Sequence, residues 1–317
     1  MPITDQWIRK VGVVVFEGEE GLDLSEFHIK FEIVNADENS PNNASIRIFN
    51  MAKETINKIK GEFSQVVINA GYETGNYGVV FQGTIKQFRV GRESAVDSYI
   101  DILAADGDIE YNQGFINETF GKGTTNVDVI NAAAKAMGTT ANIDSLKTDA
   151  QHLPNIRGKV GWGMARAALR NAASTLDAGW SIQNGQVIFT DNTGYREGDV
   201  VELNTFTGMV GIPEQTGDGI KIKCLLNSRL RIGGLVKINN DDINQLIERD
   251  PNAAPFAYNV WSKNATPYYN APLSENGYYR VFVCEHEGDT RGTQWYSNLV
   301  CLAVDATAPP DKSVQDE

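Results

Sequence analysis

Hydrophobic and polar residues alternate with a period of two in several short segments of the first third of the chain. In segment 28–33 the apolar residues are Ile29, Phe31 and Ile33, and segment 44–49 repeats the alternation from Ala44. This pattern is typical of antiparallel strands with one buried face and one wetter face. Similar runs rich in Val, Ile, Phe and Tyr, broken by Gly, Asn and Asp, predict six strands: 10–16, 28–35, 44–49, 65–72, 78–89 and 98–105.

Helical spacing appears in two parts of the chain. A short helix is predicted over 52–60, with Ile56 and Ile59 on one face, and we expect it to cap the end of a barrel. A longer helix is predicted from Thr125, a candidate N-cap with Asp128 three residues later, as in a capping box, to Gly138, which stops the run. The apolar positions of this helix are Val129, Ile130, Ala133 and Met137.

A further helix and a hairpin complete the middle of the chain. The helix is predicted over 163–178, and Gly179 stands where a left-handed terminal residue belongs. Asn184-Gly185 lies between two alternating runs and predicts a two-residue hairpin with a type I′ turn. The apolar stripe of the helix is Ala165, Leu169, Ala172, Ala173 and Leu176, and the hairpin residues expected to pack the core are Trp180, Ile182, Val187 and Phe189.

Strand patterns return in the last third. Predicted strands are 208–213, 219–224 and 235–238, with 225–234 as the strand and turn before the last of these. Segment 278–304 predicts a closing hairpin, in which Tyr279, Val281, Val283 and Glu285 share one face and 286–293 forms the polar turn. The long connection 239–276 is expected to be a functional loop or an arm that faces a partner, and the Pro-rich tail from residue 306 is expected to be flexible.

A set of residues occurs in a characteristic order within these elements. In the first part these residues are Asn50, Glu54, Thr55, Ala70, Gly71, Tyr72, Phe81, Gly83 and Ile85. In the closing hairpin they are Tyr279, Val281, His286, Gly288, Asp289, Arg291, Gly292 and Trp295. This order resembles the baseplate hub proteins of bacteriophage tails, and the segment 226–239 (LNSRLRIGGLVKIN) is similar to a wall-closing run of the same family.

The resemblance implies a mainly β fold with two antiparallel, tail-tube-like β-barrels and a small α/β domain. The expected divisions are a first barrel (1–112), an α/β insertion domain with two helices and a hairpin (113–205), a second barrel (206–305) and the tail (306–317). The two barrel segments show no obvious sequence repeat, so their equivalence rests on the resemblance alone. Residues 1–317 are thus expected to form a structural protein and not an enzyme.

The resemblance also implies partners and a location. Three subunits would form a homotrimeric ring whose six barrels match the sixfold tail tube or a tube-initiator protein, while the other face holds the central spike. Other baseplate proteins would bind around it, and DNA would pass through the lumen without specific binding. We expect the protein in the virion, in the tail baseplate, after assembly in the host cytoplasm, with contractile tails favoured over non-contractile ones.

Composition agrees with a structural role. The chain has 28 basic and 41 acidic residues, a formal charge of -13, which argues against a DNA-wrapping surface and favours an acidic lumen that DNA slides past. Its 317 residues exceed the ~250 at which a single core stops growing, so two or three domains are expected. No apolar run approaches the ~18 residues of a membrane span, and the N-terminus lacks signal-peptide features, so we expect a cytoplasmic start and no membrane anchor.

Candidate chemistry is sparse. The three histidines, His28, His152 and His286, form no zinc-binding spacing, and no nucleophile-elbow motif is present, so no catalytic, cofactor or metal site is predicted. One alternative is a cation held in the closing turn by His286, Glu287 and Asp289. The glycines Gly158, Gly161 and Gly163 are interpreted as a loop before the second long helix.

The three cysteines are predicted to be buried reduced thiols. Cys224, Cys284 and Cys301 cannot all pair, and the alternative is one cross-strand disulfide between Cys284 and Cys301.

Two other function classes stay open. A tail-associated peptidoglycan hydrolase needs only two suitable carboxylates, although no spare segment of ~120 residues is left for a separate hydrolase domain. A carbohydrate-binding module would use exposed aromatic residues for stacking, and the alternative for those residues is buried packing, which we favour. The aromatic residues in question are Trp261, Tyr268, Tyr269 and Trp295.

Overall fold

The computed structural model describes residues 8–147, 152–192, 194–216, 219–239, 243, 274 and 277–304. These residues are mainly in β-strands, with few helices. The helices are α1 (Lys53–Glu62), α2 (Asp108–Gln113), α3 (Asn126–Ala136) and α4 (Ala165–Leu176). The strands are β1 (Arg9–Glu17), β2 (Glu20–Asp23), β3 (Ile29–Ala36), β4 (Asn42–Phe49), β5 (Gln65–Tyr72), β6 (Gly78–Arg92), β7 (Ser98–Asp106), β8 (Phe115–Phe120), β9 (Ala141–Ser145), β10 (Lys159–Met164), β11 (Ala178–Gln183), β12 (Gln186–Asp191), β13 (Val201–Glu202), β14 (Glu214–Thr216), β15 (Gly219–Leu225), β16 (Leu235–Lys237), β17 (Tyr278–Asp289) and β18 (Trp295–Ala303).

The six strands predicted in the first third are confirmed as β1, β3, β4, β5, β6 and β7. Ile29, Phe31 and Ile33 are buried as their alternation predicts, and they share one hydrophobic core with Ile56 and Ile59 of α1. Neighbouring strands pair antiparallel in the order β3-β4-β7-β6-β5-β1-β2. This sheet is the wall of the first lobe, which we define as β1 to β7 with α1.

One large sheet continues from the first lobe into the last part of the chain. Its strand order is β14-β15-β18-β17-β3-β4-β7-β6-β5-β1-β2, with β16 and β13 attached to β17. Among the described residues this path is open at β14 and β2, and no closed barrel is detected. The two-barrel arrangement and the domain boundaries therefore stay predictions.

Strand β17 pairs with strands from both the first part and the last part of the chain. Its first residues, Tyr278 to Arg280, pair with β16, and its later residues, Val283 to Asp289, pair with β3, while β18 runs along its other edge. The closing hairpin is thus confirmed as β17 and β18. It is the shared wall of the first lobe and of the last lobe, which we define as β13 to β18.

The face assignment within the closing hairpin was wrong. A register shift between Val281 and Val283 places a bulge at Phe282, and a bulge inserts one extra residue into the alternation. Tyr279 and Val281 are buried, but beyond the bulge the buried positions are Cys284 and His286. The strand also continues to Asp289, so His286 lies in the strand and not in the turn.

The insertion contains the two long helices and the hairpin that the sequence predicts. Thr125 and Asp128 form a complete capping box at the start of α3. The hairpin turn has positive φ at Asn184 (52°) and Gly185 (74°), as a type I′ turn requires. Trp180, Ile182, Val187 and Phe189 are all buried in one core with α3 and α4.

Several local predictions in the middle of the chain are corrected. The left-handed residue that ends α4 is Asp177, with φ of 51°, while Gly179 lies within β11. Gly161 and Gly163 belong to β10 and not to a loop, because β10 pairs with β8 along its whole length. A side chain at Gly161 would lie 2.9 Å from the Phe120 ring, so close packing explains that glycine.

Two predictions in the last lobe are also wrong. Segment 208–213 is not a strand and contributes only one bridge, between Met209 and Cys224, because Gly208 and Gly211 have positive φ. In segment 225–234 the predicted turn is present, but the strand ends at Leu225. The connection 239–276, apart from residues 239, 243 and 274, and the tail from 306 lie outside the described residues.

Candidate functional site

A buried polar cluster lies where the two strands of the closing hairpin face each other. His286 on β17 is the cross-strand partner of Ser297 on β18, and its Nδ1 is 2.8 Å from Ser297 Oγ. Its Nε2 is 3.3 Å from Cys284 Sγ, and the Asn227 backbone N–H donates to Ser297 Oγ at 3.2 Å. The sequence pattern did not predict this cluster, because it assigned His286 to the polar turn.

This Cys-His-Ser arrangement is not suited to nucleophilic catalysis. Cys284, His286 and Ser297 are at most 1% exposed, so substrate has no access. Burial lowers the pKa of His286 to about 4 and raises the pKa of Cys284 well above its usual value. A nucleophilic cysteine needs the opposite, a lowered thiol pKa beside a charged or basic partner. The cluster instead satisfies polar groups inside the core of the last lobe.

The cation alternative in the closing turn is not supported by the geometry. Asp289 Oδ1 accepts hydrogen bonds from the backbone N–H groups of Arg291 and Gly292, at 2.9 and 2.8 Å, and lies 2.8 Å from His28 Nε2. His286 points to Ser297 and Cys284, so it does not converge with Asp289. Within the described residues, no group of three metal-ligating side chains is close enough to hold an ion. Asp289 is therefore a turn-stabilising carboxylate.

The cysteines and the one described aromatic candidate are core residues. Cys224, Cys284 and Cys301 are free and buried, which confirms the reduced-thiol interpretation. Cys284 faces Leu299 and not Cys301 across the hairpin, so the disulfide alternative is wrong. Trp295 is 1% exposed and packs edge-on against Phe31, while Trp261, Tyr268 and Tyr269 lie outside the described residues.

Arg280 connects the first lobe, the insertion and the last lobe. It lies on β17 and is 6% exposed. Its Nη1 donates to the carbonyls of Asp191 and Gly194, at 2.8 and 3.2 Å, and its Nη2 lies 3.9 Å from the Asp37 carboxylate. A buried guanidinium needs such partners, and here they come from the insertion and from the first lobe. Arg280 therefore helps to fix the orientation of the insertion.

Asp106 forms a second connection between the first lobe and the insertion. It ends β7, and its carboxylate accepts hydrogen bonds from the backbone N–H groups of Asn184 and Gly185 in the hairpin turn, the latter at 2.8 Å. Asn42 supports the same contact by donating to the Ile182 carbonyl at 3.1 Å. Burial dominates over these hydrogen bonds and raises the pKa of Asp106 to about 6. This interface therefore holds a carboxylate that titrates near physiological pH.

Two exposed apolar surfaces remain outside these cores. The ribbon face consists of Phe115, Val160 and Trp162 on the two-stranded sheet of β8 and β10, where the Phe115 and Trp162 rings are 5.1 Å apart. The loop patch consists of Phe206, Val210 and Ile212, beside a groove of about 580 Å³. Neither surface was predicted, because isolated apolar residues in short segments give no periodic signal. Both are candidate assembly surfaces.

No helix within the described ranges is long and apolar enough to span a membrane.

A known protein family matches most of the chain. The family model described as baseplate hub gp41 matches residues 8–272. The chain belongs to this baseplate hub family. The hub chain is thus a member of a family of phage tail structural proteins, which are virion components. No curated protein matches its sequence significantly.

Solved structures similar to the hub chain are phage tail and secretion-system proteins. A 43 kDa tail protein of prophage MuSo2 from Shewanella oneidensis has a TM-score of 0.56 at 9% identity, covering 95% of this chain and 99% of its own. A tail protein from Neisseria meningitidis has a TM-score of 0.56 at 10% identity, with coverages of 96% and 99%. An E. coli type VI secretion component, described as similar to the T4 tail proteins gp27 and gp5, has a TM-score of 0.53 at 10% identity, with coverages of 90% and 76%. At these identities the likeness concerns the fold.

Proposed function

We propose that this hub chain is a non-enzymatic subunit of a homotrimeric ring that adapts the sixfold tail tube to the threefold central spike. The observation that carries the proposal is the family match over residues 8–272, which includes the first lobe, the insertion and much of the last lobe. A closed ring is the common symmetry for such an assembly. Two tube-like lobes in each of three subunits would present six similar surfaces to the tube.

The first lobe supports the barrel part of this proposal. The first residues of β1, which lie before its pairing with β2, approach the turn between β17 and β18, where Arg9 donates to the carbonyls of Gly292 and Thr293 at 2.7 and 3.2 Å. The Arg9 guanidinium also lies over the Trp295 ring, 5.7 Å from its centre. The Arg9 side chain thus bridges the start of β1 and the turn between β17 and β18, which no strand pairing connects among the described residues. Such a bridge would help to close the sheet into a tube-like barrel.

Charge supports the proposed channel. The formal charge of -13 would give a lumen that repels DNA phosphates, so that DNA passes without specific binding. We propose that acidic side chains concentrate on the inner wall of the ring. The partners would be the tail tube or a tube-initiator protein, the central spike and other baseplate proteins. Assembly would take place in the host cytoplasm before the ring enters the virion.

The first test is the mass of the purified protein by light scattering. A trimer of three times 34.8 kDa is expected, and it should bind recombinant tube and spike proteins on opposite faces when imaged. A strict monomer at high concentration, together with cell-wall hydrolysis that replacing one or two carboxylates abolishes, would overturn the proposal in favour of a hydrolase. A basic lumen in an imaged ring would contradict the channel part alone.

A further inference from the structure

The ribbon face is exposed because of its strand register. Trp162 pairs with Asn117 and Val160 pairs with Thr119 between β10 and β8. Alternation then directs Ile116 and Phe120 to the opposite face, where both are buried in the core of the insertion. A slip of one residue would bury Trp162 and expose that core. The outward position of Trp162 is therefore built into the fold.

The ribbon face has the composition of a protein-binding surface. Trp162 is 70% exposed, Val160 is 69% exposed and Phe115 is 48% exposed. Among the described residues β8 and β10 pair only with each other, so each strand has one edge without a strand partner. Exposed aromatic residues that can be fully desolvated carry most of the binding energy in protein interfaces.

Basic residues flank the ribbon face in the sequence. From residue 152 to residue 176 the sequence contains four Lys or Arg residues and no Asp or Glu, although acids outnumber bases in the whole chain. In the part of the chain that the structure describes, no carboxylate forms an ion pair with Arg157 or Lys159. The one acid on the ribbon itself is Glu118. An acidic surface is therefore the complement that this face needs.

The loop patch has the opposite charge. From residue 197 to residue 220 the sequence contains five acidic residues and no Lys or Arg. Glu202 and Glu214 form no ion pair with any described residue. The neighbouring groove is also lined by Lys221 and Lys223. Of these two, Lys223 forms an ion pair with Glu287, with an N–O distance of 3.3 Å. Phe206, at 78% exposed, and Ile212, at 62%, give this acidic segment an apolar centre.

We infer that the ribbon face of one subunit packs against the loop patch of the next subunit in the ring. A cyclic ring with more than two members needs head-to-tail contacts, in which two different surfaces of the same chain meet. The two surfaces lie on different hydrophobic cores, and both combine apolar centres with charges of opposite sign. The occupant of each surface is therefore a second copy of this chain. The inference rests on the proposed ring and adds the contact that closes it.

Single substitutions test the contact in the intact chain. Trp162→Ser and Phe206→Ser are each expected to raise the concentration needed for half-assembly at least tenfold, as measured by light scattering. Val96→Ser is the matched control, since Val96 is 87% exposed and lies in the turn between β6 and β7. All three residues are exposed, so thermal unfolding should remain unchanged. If wild type is a trimer and both variants also remain trimeric, this contact is overturned and the proposed ring stands.

Charge reversal and cross-linking test the pairing of the two surfaces. Arg157→Glu and Glu202→Lys are each expected to weaken assembly, and the double variant should recover at least part of the loss. In a second test, chains carrying Val160→Cys are mixed with chains carrying Ile212→Cys under mild oxidation. A covalent heterodimer is expected, and each variant alone should give none, since the native cysteines are buried. If wild type is monomeric but the cross-linked heterodimer forms, the contact is supported and the proposed trimeric ring is overturned. If no heterodimer forms, the contact is overturned.

Discussion

Replacing Asp106 with asparagine should change how the stability of the protein depends on pH. The carboxylate ends β7 and accepts hydrogen bonds from the hairpin turn of the insertion, yet burial raises its pKa from 3.8 to about 6. The ionised form is therefore less stable in the folded protein than in the unfolded chain. Asparagine has a similar size and cannot ionise, so it removes the titration and keeps most of the packing.

The sign and size of the effect follow from the pKa difference. Between pH 3.8 and pH 6 the folded state holds a proton that the unfolded state has lost, so the free energy of unfolding falls as pH rises. The stability that Asp106 contributes is thus fully present below pH 3.8 and is lost by the time pH exceeds about 6. A shift of about two pKa units corresponds to about 3 kcal/mol.

Urea unfolding at several pH values between 4 and 7 measures this effect. The free energy of unfolding of wild type minus that of Asp106→Asn should fall by about 2 to 2.5 kcal/mol over that range, because part of the full effect lies below pH 4. Taking the difference between two variants cancels the other titrating groups. Asp128→Asn is the control: hydrogen bonds from the Thr125 backbone and side chain lower the pKa of Asp128, so its stabilisation is lost only as pH falls below about 3.8. Its difference from wild type should therefore stay nearly constant between pH 4 and 7.

Two outcomes would refute the reasoning for Asp106. A difference that stays constant within about 0.5 kcal/mol would mean that Asp106 titrates as it does in an unfolded chain. A difference that rises with pH would mean that the hydrogen bonds from Asn184 and Gly185 outweigh burial. Either result would remove Asp106 as a pH-sensitive contact between the first lobe and the insertion.

Three further predictions concern packing and the buried polar groups. Phe189→Ala should lower the free energy of unfolding by about 3 to 5 kcal/mol, whereas Phe206→Ala, at an exposed site, should change it by at most about 0.5; equal losses would contradict the assigned hairpin. Arg280→Ala should lower it by about 3 to 5 kcal/mol, because the Asp37 carboxylate loses its cation and the Asp191 and Gly194 carbonyls lose a donor, and a loss below about 1 in denaturant unfolding would argue against the three-way contact. The three cysteines should not react with a thiol reagent in native buffer and should all react after unfolding; a thiol that reacts at once would contradict its burial.

The local sequence pattern was sufficient to predict most helices and strands of the fold. The alternation of Ile29, Phe31 and Ile33, the Asn184-Gly185 turn and the capping box of Thr125 each act over a few residues, and each was confirmed. The bulge at Phe282 was not predictable in this way. It occurs where β17 changes partners from β16 to β3, which is determined by residues far away in the sequence.

The errors at glycines have the same origin. Gly161 was interpreted as a loop residue, but it is a strand residue without a side chain because the Phe120 ring lies close to it. Gly208 and Gly211 were placed in a strand that their positive φ values interrupt. A glycine indicates either a special backbone angle or a close neighbour, and only the tertiary contacts decide which of the two applies.

The buried polar cluster and the exposed surfaces were even less predictable from the sequence than the fold. His286 and Ser297 meet only because the register of β17 and β18 brings them face to face. The exposure of Trp162 depends on the pairing of β10 with β8, two strands that the sequence did not predict. Family resemblance gave the class of protein correctly, whereas the surfaces that the chain exposes had to be read from the structure.

The position of β17 has a consequence for biosynthesis. Strand β3 ends at Ala36, but the strand that covers its edge begins pairing with it at Val283. At about 5 to 20 residues per second, the ribosome needs on the order of tens of seconds to make the intervening chain. During that time the nascent first lobe has an uncovered strand edge, which is a site for aggregation with other nascent chains. Early termination before residue 283 would leave that edge permanently open, so truncated products should be insoluble or bound by chaperones.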